Sequence, residues 1–383
     1  PNGLKVGVFG LTTPETMTKA HPDKVRGIDF LQGEALYEAG QKQVDELKAA
    51  GADVIVLLSH LGMDEESAPN RTQDLLDHVT GIDVLIDGHS HTELPKGEMM
   101  GNTLVASTGY HGQYLGVVTY DGEKFSASLF NNLNKSAAVE VDGVRYSAVL
   151  AAKLDPEIET LVNTADKAVK DELSKVFAKT EVLLNGERDP GNRTEETNLG
   201  DFAADAILWS AQQALGDMVV AAVTNGGGIR ASIQAGDITM NDMKTVFPFG
   251  NEVSVLEVKG SELLEALEAA TSAAPKALGA FPQVSGIKFS VDTTVPYENG
   301  EQYPDSTYYA PAKPGSRVTI ESVGGQPFEL EALYNIATND FTAAGGDTYY
   351  AFRYPNATSG YKTGVALEDA LVNYVTTVLG GVV

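Results

Sequence analysis

A chain of 383 residues has material for two or three domains with sizeable cores, and its 43% hydrophobic and 21% charged residues are a globular balance. No apolar run approaches the roughly 20 residues of a membrane span. The net charge of −26 argues against nucleic acid as a partner, and the absence of cysteine excludes disulfides, thiolate metal sites and cysteine nucleophiles.

In chain order, Leu4–Gly10 reads as a buried strand running into a polar turn at Leu11-Thr12-Thr13-Pro14. Residue 1 is Pro, and this first strand has the character of the middle of a domain, so the reading expects that the first domain needs residues ahead of it. Gly33–Ala50 carries helical spacing, with Gly51 to close it. Asp53–Ser59 is a core strand, 64–78 a polar segment ending in a helix, and Asp83–Ile86 another strand. Thr103–Ser107 and Tyr114–Tyr120 are strand-like, with Asp121-Gly122 as a hairpin turn. The first 110 or so residues thus alternate strand and helix, the pattern of an α/β layered fold.

Asp155–Val176 reads as a charged connecting helix, and a second α/β domain begins at Lys179. The expected division is 1–152, a connector at 153–178, and 179–383. In the second domain Asn198–Leu215 and Gly260–Ala270 are helical. Met218–Val223, Val253–Val258, Phe281–Val291, Thr307–Tyr309, Arg317–Ser322 and Leu333–Ala337 are strand candidates.

Two stretches carry chemistry. The strand Met218–Val223 runs into Thr224-Asn225-Gly226-Gly227-Gly228-Ile229-Arg230. Three glycines let backbone approach a ligand, and an arginine beyond them offers a planar donor fork to phosphate or carboxylate. A tight turn with a surface arginine fits that segment equally well. Of six histidines, His60, His89 and His91 follow strand ends, where open α/β sheets place their sites. Together they are the imidazole set of a metal site. His60 alone also reads as a hydrogen-bonded loop residue.

The pairing of Ser59-His60-Leu61-Gly62 with Asp87-Gly88-His89-Ser90-His91 resembles the closing motifs of calcineurin-like metallophosphatases. Four later stretches resemble the carboxy-terminal domain of 5′-nucleotidases, in that family's order: Glu196–Asp201, Asn225–Arg230, Phe247-Pro248-Phe249-Gly250-Asn251, and Asn339-Asp340-Phe341 continuing to Gly345-Gly346-Asp347.

The resemblance implies a partial metallophosphatase β-sandwich flanked by helices, the connector, and an α/β nucleotide-binding domain. It implies metal-dependent hydrolysis of nucleoside 5′-monophosphates by the intact enzyme with two divalent ions (Zn, Mn, Co or similar), in the periplasm or outside the cell. It implies His60, His89 and His91 as metal ligands and Arg193 and Arg230 at the phosphate. Phe249 and Phe341 match the aromatics that sandwich the base, Asn225 and Asn251 the polar contacts near it, and Asp347 the carboxylate that takes the ribose hydroxyls. Gly227 belongs to the glycine cradle. On the residues alone, Phe249 and Phe341 read as core, Arg193 as a surface ion pair and Asp347 as the shaper of a glycine turn.

The chain departs from the family in lacking the D-x-H, GD and GNH[DE] motifs that supply the early metal ligands and the catalytic histidine. No catalytic residue is therefore assigned. The expectation is an isolated chain that binds nucleotides or nucleosides without turnover, either an engineered or proteolysed fragment or one chain of a nicked enzyme whose amino-terminal piece is separate. Asn198 stands where an arginine is found in the animal enzyme, so phosphate recognition rests on fewer arginines, with Arg188 as a substitute. A nucleotide-binding fragment without catalysis, a 2′,3′-cyclic nucleotide phosphodiesterase or 3′-nucleotidase, and a surface adhesin built on the same fold stay open as alternatives.

Overall fold

The computed structural model describes residues 3–131, 140–141, 144–145, 155–353 and 361–383. The chain forms two compact units. The first comprises residues 1–16 and 28–163; the second comprises Met17–Gly27 and Thr164–Val383. The junction expected at 152/153 lies outside the described residues.

The first unit is built on a five-stranded sheet. Its strands are β1 (Val6–Thr12), β2 (Val54–His60), β3 (Val84–Asp87), β4 (Glu98–Met100) and β5 (Thr103–Ser107), in the order β1-β2-β3-β5-β4. Strands β1, β2, β3 and β5 are parallel, and only β4 runs against its neighbour. The parallel register brings the carboxyl ends of β1, β2 and β3 to one edge. Period-two alternation sends Phe9, Ile55, Leu57, Leu85 and Val105 to one face, where the helices Glu34–Ala49 and Thr72–His78 bury them with Leu36, Val44 and Leu75.

Among the described residues, the other face is covered over β5 and left open further along. Over β5 the antiparallel hairpin β6 (Tyr114–Tyr120) and β7 (Phe125–Asn131) packs Ala127 on Leu104 and Ala106. Further along, Val6, Val8, Leu58 and Ile86 remain exposed, and the register sets Leu58 beside Ile86. A parallel sheet normally has both faces covered.

The second unit centres on β8 (Val219–Asn225), β9 (Glu252–Lys259), β10 (Pro282–Ser285), β11 (Leu333–Asn339) and β12 (Tyr361–Ala366), in the order β10-β8-β11-β9-β12. Strands β8 and β11 are parallel and the other pairings antiparallel. One face packs Val219, Val253, Val255 and Ala337 under the helices Asn198–Leu215 and Leu367–Thr377. The opposite face packs Ala221, Val223, Leu256 and Ile336 under Gly260–Ala270 and the small sheet carrying Ile287 and Val318. Thr197 caps the first of these helices by accepting from Gly200 N at 3.0 Å.

Three boundaries differ from the sequence reading. The connecting helix spans Pro156–Leu173, and Val176–Thr180 is a strand paired with Gly236–Thr239. Lys179 is exposed between the buried Ala178 and Thr180, the alternation of a strand with one covered face. The expected strand Phe281–Val291 is two strands, broken at Gly286, whose φ of +72° turns the chain from one sheet to another. The strand expected at Thr307–Tyr309 lies at Tyr309–Pro311.

Candidate functional site

In the first unit the candidate metal residues stand on adjoining strand ends. His60 closes β2, and its carbonyl accepts from Thr13 N at 2.9 Å, tying the end of β1 to the end of β2. Asp87 closes β3 and is buried. Its carboxylate accepts from Leu61 N at 3.0 Å, from Gly62 N at 3.2 Å and from the Thr72 hydroxyl at 2.6 Å. Asp87 is thereby spent on clamping the loop after His60 to the loop before His89. The glycines of both motifs make that approach possible. A Cβ on Gly62 would lie 3.1 Å from the His89 ring, and one on Gly88 would lie 3.0 Å from His60 Nδ1.

The His60 and His89 rings stand 5.2 Å apart. Desolvation of the His60 ring, followed by the neighbouring His89, holds the His60 pKa below its ordinary value, against the pull of Asp87. A neutral imidazole with a lone pair to offer is the form a transition ion requires. His89 Nε2 meets Glu15 Oε2 at 2.9 Å, and Glu15 is buried at 2% exposure in the turn after β1. His91 stacks on Tyr110 at 4.7 Å. Among the described residues, no three histidine, aspartate or glutamate side chains converge closely enough to hold an ion. The donors suit a transition metal in kind and supply only part of a coordination shell.

In the second unit the parallel strands β8 and β11 end side by side in Asn225 and Asn339. Asn339 Nδ2 donates to Asn225 Oδ1 at 3.0 Å and to the Thr224 hydroxyl at 3.1 Å, while Asn339 Oδ1 caps the short helix Asp340–Ala343 by accepting from Thr342 N. Asn225 Nδ2 donates to Asp347 Oδ2 at 2.9 Å. The three side chains are buried and form one relay. Asn225 therefore acts as the holder of Asp347.

The glycine cradle has no room for side chains. Gly227 N donates to Gly279 O at 2.7 Å, and a Cβ on Gly226 would fall 1.8 Å from the Asn192 carbonyl. Arg230 follows it, half-buried, with Nη1 3.3 Å from Gly227 O and its guanidinium 5.6 Å from the centre of the Phe249 ring.

Burial, then Arg193 and Arg188, push the Arg230 pKa down to about 10, with Asp347 opposing them. Arg193 and Arg188 thus lie near enough to Arg230 to act on its charge, a field suited to an anion. Arg193 is 5% exposed, which excludes the surface ion pair considered for it. Asn198 is taken up locally: Oδ1 accepts from Asn185 N and Nδ2 donates to Leu183 O, both at 2.8 Å.

The two candidate base-binding aromatics differ. Phe249 is 60% exposed, whereas Phe341 is 8% exposed, with its ring 2.4 Å from where a Cβ on Gly346 would stand. Asn251 is half-buried, and its carbonyl accepts from Leu367 N at 3.0 Å.

Glu15, the clamp role of Asp87, and Lys19 escaped the sequence reading. Only the buried ends of β1 and β3 could have pointed to the two carboxylates, and nothing local marks Lys19.

A family model described as the 5′-nucleotidase C-terminal domain matches residues 176–354. The chain is 34% identical, over 92% of its length, to 22% of the trifunctional nucleotide phosphoesterase protein YfkN of Bacillus subtilis. It is 29% identical, over 97% of its length, to 66% of the 5′-nucleotidase of Vibrio cholerae. A snake venom 5′-nucleotidase of Naja atra is 28% identical, with 91% of this chain and 65% of that protein covered. The chain thus spans less than two thirds of the length of these relatives. The crystal structure of a 5′-nucleotidase precursor from Thermus thermophilus aligns with a TM-score of 0.70 and 30% identity, covering all of this chain and 71% of that one.

Proposed function

The chain belongs to the 5′-nucleotidase family, and from that premise we propose that it is the nucleotide-binding and partial metal-binding portion of an enzyme that hydrolyses nucleotide phosphoesters. The observation that carries the reading is the arginine group Arg188, Arg193 and Arg230 beside the buried Asp347, in a chain of net charge −26. A local excess of positive charge against so acidic a background is a site for an anion. The adjoining carboxylate is an acceptor suited to a diol, and the exposed Phe249 is a face for a base. Together they describe a nucleoside phosphate, and a nucleoside 5′-monophosphate is the substrate we assign.

In the first unit, His60, His89 and His91 would hold divalent ions. Such ions, when bound, supply charge neutralisation at the phosphate and a hydroxide at neutral pH. The chain's own contribution there is to favour the neutral imidazole of His60, on a loop fixed by Asp87, and to orient His89 through Glu15. In the second unit, the arginines hold the phosphate, Asn225 orients Asp347 for the ribose, and Phe249 covers the base. The relatives named for snake venom support a place outside the cytoplasm.

The exposed apolar face of Val6, Val8, Leu58 and Ile86 supports a further segment of the same protein as its cover. The 383-residue chain should bind AMP and release no phosphate from it. Adding the amino-terminal portion, in cis or as a separate piece, should restore phosphate release that a chelator stops. Chelator-sensitive turnover by the 383-residue chain alone would refute this division of labour.

A further inference from the structure

The segment Met17–Gly27 belongs to the second unit, although it interrupts the sequence of the first. It is pinned beside the candidate nucleoside site at two places. The Thr18 carbonyl accepts from Asp347 N at 2.9 Å, and His21 Nε2 lies 3.8 Å from Asp340 Oδ2. Between these anchors stands Lys19, half-buried.

The backbone of Gly279 shows where its ammonium points. A Cβ placed on Gly279 would lie 3.7 Å from Lys19 Nζ, 3.8 Å from Arg193 Nη1 and 3.9 Å from Asp347 Oδ2. Three charged groups from three separate stretches therefore surround one spot that carries no side chain. Gly279 is itself fixed there by the bond from Gly227 N to its carbonyl. The candidate ribose carboxylate is one of the three, a candidate phosphate arginine is another, and the third is a lysine that no motif includes.

We propose that Lys19 is a further substrate-contacting residue, which reads the anionic group of a nucleotide alongside Arg193 and makes the site favour phosphorylated nucleosides over nucleosides; this rests on the reading of the second unit as a nucleotide site. The charge balance supports it. Arg193 and Arg188 both act on Arg230, with Asp347 opposing them. Lys19 Nζ and Arg193 Nη1 stand at the same spot, and a phosphate group offers acceptors that both can share. The competing role for Lys19 is a brace that holds Asp347 in position. The two roles separate cleanly, because Asp347 serves nucleoside and nucleotide alike, whereas an anion contact serves only the nucleotide.

The test is calorimetric titration of the 383-residue chain with adenosine and with AMP, for wild type, Lys19→Gln and Lys19→Arg, with thermal melts of each. Lys19→Gln should weaken AMP binding about tenfold, the size expected for one charge-assisted contact. It should leave adenosine binding within about twofold, and Lys19→Arg should recover most of the AMP affinity. Equal loss for both ligands in Lys19→Gln would make Lys19 a brace and overturn the inference. Unchanged AMP binding in Lys19→Gln, with a wild type that binds both ligands, would overturn it while leaving the nucleotide site standing. A wild type that binds neither ligand would bring down the nucleotide site and the inference together.

Discussion

The two aromatic candidates can be told apart by truncation, because the structure places them so differently. Phe249 is 60% exposed, so removing its ring deletes little buried area. The loss in the unliganded protein is its contact with the Arg230 guanidinium, worth about 0.5–1 kcal/mol at an exposed site. If Phe249 stacks on a base, Phe249→Ala should weaken adenosine binding by about 1–3 kcal/mol, roughly 5- to 150-fold. Phe341 is 8% exposed and packs on Gly346. Its truncation should cost about 3–5 kcal/mol of stability, as for a core phenylalanine, whatever it does to the ligand. Urea denaturation beside adenosine titration reads both quantities. The reasoning fails if Phe249→Ala loses several kcal/mol of stability and binds adenosine as wild type does. It fails equally if Phe341→Ala is as stable as the parent.

Substituting His89 and His91 together by alanine should abolish retention of Zn or Mn after desalting; unchanged metal content would remove the imidazoles from the metal site. Asp201 has its pKa pushed up to about 6, by burial first and then by Glu196 and Asp205. A raised carboxyl pKa favours the protonated folded form, so its contribution is fully present below about pH 4 and is lost as pH rises through about 6. Asp201→Asn should therefore be the more stable protein at about pH 8, by on the order of 1 kcal/mol after solvent screening, with the gap closing near pH 4 in urea melts. Asp347→Asn keeps the size and the tolerance of positive φ but removes the charge that opposes the neighbouring cations, so melting should fall somewhat while adenosine binding falls about tenfold with the ionic acceptor gone; undiminished binding would free Asp347 from the ribose.

The strands of the first unit were legible because a parallel sheet buries near-continuous apolar runs, and Asp53–Ser59 and Asp83–Ile86 are such runs. The histidines that follow them could be placed at strand ends for the same reason. What those histidines touch was not legible. Glu15 and His89 are 74 residues apart in sequence, and only the pairing of β1 with β2 and of β2 with β3 brings them to 2.9 Å. Asp87 reads in sequence as one more acidic turn residue, and its clamp role depends on backbone N–H groups from another strand's loop. Lys19 illustrates the same limit more sharply. It sits in a four-residue helix, Thr16–Lys19, with no pattern of its own, and its position follows from packing within the second unit against residues far along the chain. Val176–Thr180 was lost for a local reason, since a five-residue strand directly after a long helical pattern carries little signal until its partner strand is known.

Backbone strain gives a reading of the candidate residues that owes nothing to resemblance. Among the described residues, five non-glycine residues have positive φ: His89 at 75°, His91 at 60°, His111 at 54°, Asp305 at 52° and Asp347 at 51°. Left-handed backbone costs a side-chain-bearing residue roughly 1–2 kcal/mol, and glycine would adopt it without that cost. Three of the five are candidate ligands of metal or ribose, and His111 sets its ring edge on Tyr110, the ring on which His91 stacks. The surroundings hold two of these positions in place. Glu15 grips the His89 ring, and the Thr18 carbonyl holds the Asp347 amide. A fold selected only for stability would relax these positions to glycine. This chain instead keeps imidazoles at two of them and a carboxylate at a third, so the side chains are what the strain retains.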